Sequence, residues 1–224
     1  MRNTLDDSVR IPRQAARDLA GFRAWALSRR FPRHGRIDFL AGDLEVRMSP
    51  EDLQTHGLVK TEIAAVLHLL VTREGLGEVY VDRARVSSPP ADLSVEPDIV
   101  AVLWETLDSG RLRYIPAASG EPGRFIEMEG APDVIVEILS DSSVRKDLSH
   151  LPPLYAAAGV PELWRVDARH ERLRFEILEL KPGGYRKIKP DREGRTRSPR
   201  LGRRFRLARQ QTRPERWSYR LEHD

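Results

Sequence analysis

Two short apolar runs decide the fold of this chain: VEPDIVAVL at residues 95–103 and PDVIVEILS at residues 132–140. Each is rich in apolar and β-branched residues and is bounded by Pro or polar residues, which is typical of strands covered on both faces. Each run also carries a carboxylate, Asp98 in the first and Glu137 in the second. A charge in a buried strand needs a partner, and a divalent cation shared by Asp98 and Glu137 would provide one.

The composition is that of a globular protein. Its 224 residues suit one domain with a sizeable core, and 40% hydrophobic with 32% charged residues excludes a wholly disordered chain. No apolar run approaches the roughly 18 residues that span a bilayer, so we expect no membrane association. Residues 1–13 lack the apolar core of a signal peptide, and the chain has no cysteine. We therefore expect a cytoplasmic protein without disulfides or thiolate metal sites.

The positive charge is concentrated towards the C-terminal end. Residues 181–224 contain 15 Lys and Arg against 5 Asp and Glu, although the net charge of the whole chain is only +4. A basic end that holds a polyanion beside an acidic body that holds metal suits an enzyme acting on nucleic acid. A solvated terminus would give the same composition, and charge alone does not separate the two.

The sequence of the N-terminal half predicts two helices and three strands. Leu19, Phe22 and Trp25 have helical spacing within residues 14–30. Residues 36–40 and 44–48 flank a Gly-containing connection of hairpin length. Ser49 and Pro50 are a helix-start pattern, so a long helix should run from there to about Arg73. Residues 78–86 alternate as a half-buried strand does.

The C-terminal half predicts three further strands, at residues 161–167, 172–180 and 185–189. Residues 105–131, between the two apolar runs, are rich in Gly, Ser, Pro and charged residues and predict a long loop.

Three polar residues in the predicted elements are additional site candidates. His56 lies on the apolar stripe of the long helix, Asp38 lies in the first hairpin strand, and Asp82 lies within residues 78–86. A lone histidine on an apolar face is often a hydrogen-bonded core residue, so both interpretations of His56 stay open.

Carboxylates on two buried strands match the oxygen ligands that Mg²⁺ and Mn²⁺ prefer. A metal held in this way can activate water and neutralise the charge that develops during phosphodiester hydrolysis. The simpler explanation is that each carboxylate caps a loop or pairs with an arginine. For Asp98 alone the simpler explanation is adequate, but the pair with Glu137 is more specific.

Residues from about 36 to 208 resemble the Uma2 family of restriction-endonuclease-like proteins, which belongs to the PD-(D/E)XK nuclease superfamily. The matching segments are, in order, IDFLAGDL at 37–44, MSP at 48–50 followed by His56, EVY at 78–80, EPD at 96–98, GAPDVIVEILS at 130–140, RKD at 145–147, YAAAGVPELWRVD at 155–167 and SPRLG at 198–202. The order and spacing of so many short matches make the resemblance specific.

The resemblance implies an α/β fold of mixed α+β type, with a restriction-endonuclease-like core whose central mixed sheet is flanked by helices. It implies that Asp98 and Glu137 bind Mg²⁺ or Mn²⁺, that the carbonyl of Ile138 is a further ligand, and that the protein is an endonuclease that cleaves DNA. The expected organisation is an N-terminal helical extension at 1–35, the nuclease-like domain at 36–208 and a basic C-terminal tail at 209–224.

One residue of the superfamily pattern is missing. A lysine usually stands two residues after the acidic residue of the second strand, and here that position is Leu139. The resembled family usually places the lysine four residues after the aspartate that matches Asp147, and that position is Leu151. Because Pro152 and Pro153 follow, we expect residues 141–151 to form a loop from which Lys146 or His150 reaches the metal. The catalytic candidates are Asp98, Glu137, Lys146 and His56.

The basic end interleaves arginines with Phe205, Trp217 and Tyr219, a pattern that suits phosphate contacts and base stacking. The nucleic-acid-binding candidates are four arginines: Arg203, Arg204, Arg206 and Arg209. By analogy with enzymes that cut both strands, a homodimer is a reasonable expectation. The alternative function is a catalytically degenerate nuclease-fold module that binds DNA or a protein partner without turnover.

Overall fold

The structure, a computed structural model, describes residues 9–224, so the first eight residues of the predicted N-terminal extension lie outside it. Its helices and strands are, in chain order, α1 (Leu19–Ala26), β1 (Arg36–Leu40), β2 (Asp43–Arg47), α2 (Leu58–Arg73), β3 (Gly77–Val81), β4 (Val86–Ser88), β5 (Leu93–Val95), β6 (Ile99–Leu103), α3 (Trp104–Asp108), β7 (Leu112–Pro116), β8 (Phe125–Gly130), β9 (Val134–Ile138), α4 (Leu151–Ala158), β10 (Glu162–Asp167), β11 (Arg174–Lys181), β12 (Gly184–Lys187), β13 (Thr196–Ser198), β14 (Arg203–Arg213) and β15 (Arg216–His223).

The two apolar runs form adjacent antiparallel strands, β6 and β9, inside a six-stranded mixed sheet. The strand order is β12-β11-β10-β9-β6-β3, and β9 and β10 are its parallel pair. Every residue of β6 and β9 is buried, because each strand has neighbours on both edges and packing on both faces. This confirms the central mixed sheet that the sequence predicts.

One face of this sheet packs against α2 and a small sheet of order β13-β14-β15. Val59, Ile63 and Leu67 of α2 share a core cluster with Phe205 of β14 and Leu221 of β15. The apolar stripe of α2 therefore explains why the basic C-terminal segment is held as a hairpin against the domain. Residues 209–224, which the sequence suggests as a tail, contain the end of β14 and the whole of β15.

The other face packs against α4 and a second six-stranded sheet of order β2-β1-β5-β4-β8-β7. Leu93 and Val95 of β5 meet Leu151 and Tyr155 of α4 in one apolar cluster, together with Ile135 of β9. Helix α1 covers the outside of the second sheet, where its aromatic side chains Phe22 and Trp25 join the core cluster of β1. The second sheet is what brings β1 close to the ends of β6 and β9.

The prediction that residues 105–131 form a long loop is wrong. The segment contains α3 and the antiparallel hairpin of β7 and β8, which joins the second sheet through β4. Strand β7 is at the edge of that sheet, and its residues are mostly half-buried or exposed. The strands are short, and the Gly, Ser and Pro residues of the connection at 117–124 dominate the composition of the segment, which explains the error.

Two further boundaries differ from the prediction. The long helix does not begin at Ser49, because Asp52 caps a π-helical turn at Leu53–Gly57 that leads into α2. The strand predicted at 78–86 is interrupted at Asp82 and Arg83, which have φ angles of 40° and 55°. Those left-handed angles, uncommon for residues other than glycine, turn the chain from the first six-stranded sheet into the second.

Residues 141–151 are not simply a loop. A π-helical turn at Lys146–His150 runs directly into α4, which begins at Leu151. The two prolines lie in the first turn of α4, where their missing N–H groups leave no helical hydrogen bond unmade. This geometry fixes the direction of Lys146 and Asp147.

In the described part of the chain, residues 9–224, no helix is long and apolar enough to cross a membrane.

Candidate metal-binding active site

Asp98 and Glu137 lie side by side where β6 and β9 meet. Ile99 pairs with Val136 in the antiparallel register, so Asp98, one residue earlier, is opposite Glu137. Opposed residues of antiparallel strands point to the same face, with Cβ atoms about 4.5–5.5 Å apart. The backbone N–H of Ile138 donates to Oδ2 of Asp98 at 2.8 Å, which ties the Asp98 side chain to the strand of Glu137. Both carboxylates are buried.

Three cationic side chains surround the carboxylate of Asp98. Nη2 of Arg36, at the start of β1, donates to Oδ1 at 3.0 Å. Nε2 of His56 lies 3.3 Å from Oδ2, and Nζ of Lys60 lies 3.5 Å from Oδ1. His56 lies in the π-helical turn before α2 and Lys60 in the first turn of α2, four residues later, so both point the same way. Asp98 is thus reached from the second sheet and from α2 at once.

Two further carboxylates complete this cluster. Oε2 of Glu51 lies 2.8 Å from Nζ of Lys60 and 3.0 Å from Nδ1 of His56. Oδ1 of Asp82 lies 2.7 Å from Nζ of Lys60 and 3.8 Å from Nη2 of Arg36. Glu51, His56 and Asp98 offer ligand atoms within 4.8 Å of one another, so this group could hold a metal ion.

The cations already compensate the negative charge at Asp98. Burial alone would lower the pKa of His56, but Asp98 and Glu51 raise this pKa to about 9. Burial alone would raise the pKa of Asp98, but the hydrogen bond to His56 and the charges of Arg36 and Lys60 hold it well below its usual range. A protonated imidazole cannot bind a metal, so a cation in this group would have to displace the His56 proton.

The charge balance around Glu137 is different. Burial, followed by the charges of Asp147 and Asp98, raises the pKa of Glu137 to about 8. Burial likewise raises the pKa of Asp147, whose Oδ1 is buried and has no hydrogen-bond partner among residues 9–224. The hydroxyl of Tyr155 donates to Oε1 of Glu137 at 2.5 Å and orients the carboxyl group. Crowded carboxylates with raised pKa values are the environment that a bound cation relieves.

The donor chemistry at Asp98 and Glu137 suits a hard divalent cation, although the group with three ligand atoms within 4.8 Å of one another is Glu51, His56 and Asp98. Carboxylate oxygens dominate the donor set, which suits Mg²⁺ or Mn²⁺. The N–H of Ile138 points towards Asp98. Because the N–H and C=O groups of one strand residue point to the same side, the Ile138 carbonyl is also directed towards this end of β6. The orphaned Oδ1 of Asp147 is a further acceptor beside Glu137.

Lys146 lies in the same polar interior but not against Asp98. Its Nζ donates to Oδ2 of Asp38 at 3.0 Å and lies 3.9 Å from Oδ1 of Asp147. Burial alone would lower the pKa of Lys146, but Asp38 and Glu137 raise it. Asp38 also accepts from the backbone N–H of Glu96 at 3.0 Å, so it is fully engaged. Lys146 is thus held between β1 and the Glu137 side of the site.

The two positions where a lysine was expected are apolar. Leu139 and Leu151 are each 1% exposed, and Leu151 belongs to the cluster between the sheets. His150, the other residue predicted to replace the missing lysine, is exposed. Lys60 is the lysine nearest to Asp98, and its position four residues after His56 is a helical spacing that could have indicated it. Arg36 gives no comparable signal, because its approach depends on the second sheet.

The four candidate nucleic-acid-binding arginines lie on β14 and have partners within the protein. Arg203 pairs with Glu74 at 2.8 Å, Arg206 with Glu222 at 2.7 Å, and Arg204 with Asp191 at 3.0 Å and with Asp224. Arg209 donates to the carbonyl of Ala168 at 2.9 Å and lies over the Trp217 ring at 4.4 Å. Arginines held in this way contact DNA only if phosphate competes with the internal partner.

The central mixed sheet thus carries two opposed acidic residues, Asp98 and Glu137, at the ends of neighbouring strands. A solved structure described as a putative nuclease belonging to DUF820, from Anabaena variabilis ATCC 29413, resembles this chain with a TM-score of 0.56 and 17% sequence identity. The match covers 74% of this chain and 83% of that one. At this identity the likeness shows the fold alone.

The family model of Uma2, described as "Putative restriction endonuclease", matches residues 19–210. The chain therefore belongs to the Uma2 family, as its motifs predicted. No curated protein matches the sequence.

Proposed function

We propose that the protein is a metal-dependent endonuclease that hydrolyses DNA phosphodiester bonds. The observation that carries the proposal is the opposed pair Asp98 and Glu137, buried beside the cations Lys60, His56 and Arg36. Hydrolysis of a charged diester requires anionic ligands that hold a metal and, next to them, cationic groups that contact the phosphate.

Asp98, Glu137 and the carbonyl of Ile138 would hold Mg²⁺ or Mn²⁺, with Asp147 completing the acidic side. When bound, the metal supplies an activated water and neutralises charge on the phosphate oxygens. Tyr155 keeps the Glu137 carboxyl in a fixed orientation through its 2.5 Å hydrogen bond. The buried surroundings strengthen every charge interaction within the site.

Lys60 takes the role of the lysine that is missing at positions 139 and 151. Its ammonium lies 3.5 Å from Oδ1 of Asp98 and is held there by Glu51 and Asp82. An ammonium beside the metal ligand stabilises the negative charge that develops on the phosphate. Arg36 contributes a second fixed positive charge, and His56 keeps Asp98 ionised.

Lys146 serves as the positioning group on the other side of the site. Its salt bridge to Asp38 links β1 to the turn that carries Asp147. It thereby sets the position of Asp147 next to Glu137. Cleavage of both strands would use two copies of the chain, in a homodimer.

The second candidate function is a nuclease-fold module that binds DNA or a partner without turnover. Asp98 already has Arg36, His56 and Lys60 as partners, and this compensation reduces the electrostatic gain from a metal. Leu139 and Leu151 support the same alternative, because apolar side chains fill both positions of the usual lysine.

A plasmid-nicking assay with Mn²⁺ separates the two functions. Wild type should convert supercoiled DNA to the nicked form, and Glu137→Gln and Asp98→Asn should abolish this conversion. Glu162→Gln, a buried carboxylate on β10 outside the site, is the matched control and should retain activity. Equal activity in wild type and Glu137→Gln would indicate a contaminating nuclease, and DNA binding without nicking would support the module.

A further inference from the structure

A cavity lies beside the candidate active site, between β3 and the hairpin of β7 and β8. Its volume is about 480 Å³, within the range of roughly 300–1,000 Å³ typical of small-ligand sites. One wall is aromatic: Tyr80, Tyr114 and Phe125 form a continuous series, with ring centroids 6.1 Å apart for the tyrosine pair and 5.4 Å apart for Tyr114 and Phe125.

The aromatic wall is open to solvent at one end. Phe125 is 52% exposed and the neighbouring Ile126 is 41% exposed. The rings are inclined to one another, by 75° for the tyrosine pair and by 40° for Tyr114 and Phe125, so the exposed ring of Phe125 offers the face on which a planar ring can stack. Stacking on such a surface is how proteins hold unpaired bases without a strong sequence preference.

The inner end of the cavity is polar and rigid. Oε2 of Glu78 accepts hydrogen bonds from the hydroxyls of Tyr80 at 2.5 Å and Tyr114 at 2.6 Å. Burial and the hydrogen bond to Glu78 raise the pKa of Tyr80 to about 12, so its hydroxyl keeps its proton. The hydrogen bonds of Glu78 within residues 9–224 use Oε2, which leaves Oε1 to accept from an N–H group of a bound ring.

The cavity shares part of its wall with a neighbouring cavity next to the active site. Asp82 and Arg83 line it and also line a neighbouring cavity of about 370 Å³ that contains Arg36 and Glu51. Asp82 contacts Lys60, and Arg83 is exposed. The two residues also hold consecutive left-handed backbone angles, a type of strain that concentrates at functional sites.

The geometry points to a nucleobase site: the cavity receives one unstacked base of the DNA strand whose phosphate lies at Asp98, and Arg83 contacts the backbone between the two. This inference rests on the proposed nuclease function. It adds a substrate preference, because a base that is unpaired, bulged or single-stranded enters the cavity without breaking a base pair. A fully paired duplex must first unstack a base, which opposes binding.

The test compares DNA affinities of the full chain with Ca²⁺ in place of Mn²⁺, to suppress cleavage. The probes are two fluorescein-labelled duplexes of equal length, one fully paired and one with a single bulged base. Wild type should bind the bulged duplex about tenfold more tightly, which corresponds to one stacked base. Phe125→Ala and Phe125→Leu should both lose this preference, whereas Phe125→Trp should retain it. Trp104→Ala, an exposed aromatic residue outside the cavity, is the control.

Mapping the nick with Mn²⁺ provides a second readout. Wild type should cut at a constant distance from the bulge, and Phe125→Ala should cut at dispersed positions. If wild type nicks DNA but binds both duplexes equally, or if Phe125→Ala keeps the preference, the base site is wrong while the nuclease function stands. If neither duplex binds, both proposals fail.

Discussion

Nζ of Lys60 lies 3.5 Å from Oδ1 of Asp98, although the sequence positions expected to supply a lysine are both leucine. The ammonium is 2.7 Å from Asp82 and 2.8 Å from Glu51, so two salt bridges fix its position. A residue of α2 thus places a cation beside Asp98, whereas the side chains at positions 139 and 151 are buried and apolar.

Substituting this lysine should mainly affect the chemical step. In Lys60→Gln we expect the nicking rate with Mn²⁺ to fall about 10²- to 10³-fold, the usual loss when one fixed electrostatic group is removed from the transition state. DNA affinity measured with Ca²⁺ should change by less than about tenfold, because ground-state contacts remain. Lys187→Gln is the control, since Lys187 is on the surface and pairs with Glu176. A Lys60→Gln protein with wild-type rates would assign the role to another residue.

The salt bridge between Lys146 and Asp38 should matter most for stability. Both side chains are about 1–2% exposed, so removing Lys146 takes the salt-bridge partner from a buried carboxylate and leaves it the more indirect charges of Arg36 and Arg85. Lys146→Met should reduce the free energy of unfolding in urea by about 3–5 kcal/mol. The double variant Asp38→Asn with Lys146→Met should recover part of this loss, because neither charge then remains unpaired. Additive losses in the double variant would mean that the two residues act independently.

The sequence indicated the parts of this site that lie on strongly patterned elements. The apolar runs around Asp98 and Glu137 identified β6 and β9, and their antiparallel pairing aligned the two carboxylates. For His56 the sequence left two interpretations open, and the structure places its Nε2 3.3 Å from Oδ2 of Asp98. The carboxylate of Asp133, in the same motif as Glu137, is instead structural: it accepts from the backbone N–H of Leu103 and from Arg111.

The missed residues depend on tertiary contacts that leave no local pattern. Arg36 reaches Asp98 only because β1 belongs to a second sheet stacked on the first. That sheet includes the hairpin of β7 and β8, which the composition of residues 105–131 predicted as a loop. Glu51 lies before the cap of α2 and joins the site through Lys60. Charge compensation of this kind is decided by packing, and a single sequence does not report it.

Binding of Mn²⁺ should stabilise the fold through Glu137. A ligand that binds only the native state adds about 2.7 kcal/mol at a concentration of 100 times its Kd, so the melting temperature should rise with added Mn²⁺ and return to its original value with excess EDTA. Glu137→Gln should lose the rise, because the amide removes one anionic ligand. Glu162→Gln should keep it. Equal rises in wild type and Glu137→Gln would place the ion elsewhere.

The stability of the protein should fall at alkaline pH through Tyr80. Its folded pKa is about 12, above the ordinary value of about 10, because burial and Glu78 disfavour the phenolate. The stabilisation is therefore complete below about pH 10 and is lost as the pH rises from about 10 to 12. In Tyr80→Phe this part of the pH dependence should disappear from urea unfolding curves. If the stability of both proteins falls equally over this pH range, Tyr80 does not contribute this pH dependence.

The C-terminal hairpin should be required for folding, whether or not it contacts DNA. Tyr219 and Leu221 are 8% and 3% exposed and pack against α2 in the main core. Deletion of residues 209–224 should therefore abolish or broaden the cooperative unfolding transition. A truncated protein with an unchanged melting temperature would show that the segment is a dispensable tail. Truncation is consequently a poor test of the arginines.

Substitutions that keep the hairpin give the sharper test of DNA contact. Arg203, Arg204 and Arg206 have ion-pair partners, whereas Arg213 and Arg220 are exposed and form no salt bridge among the described residues 9–224. Arg213→Gln and Arg220→Gln should each reduce the slope of log affinity against log salt by about 0.9 if each arginine neutralises one phosphate. Arg206→Gln should change the slope less, because its guanidinium must first leave Glu222. The reverse order would mean that DNA displaces the internal partners, and equal slopes in all variants would exclude the hairpin from the DNA interface.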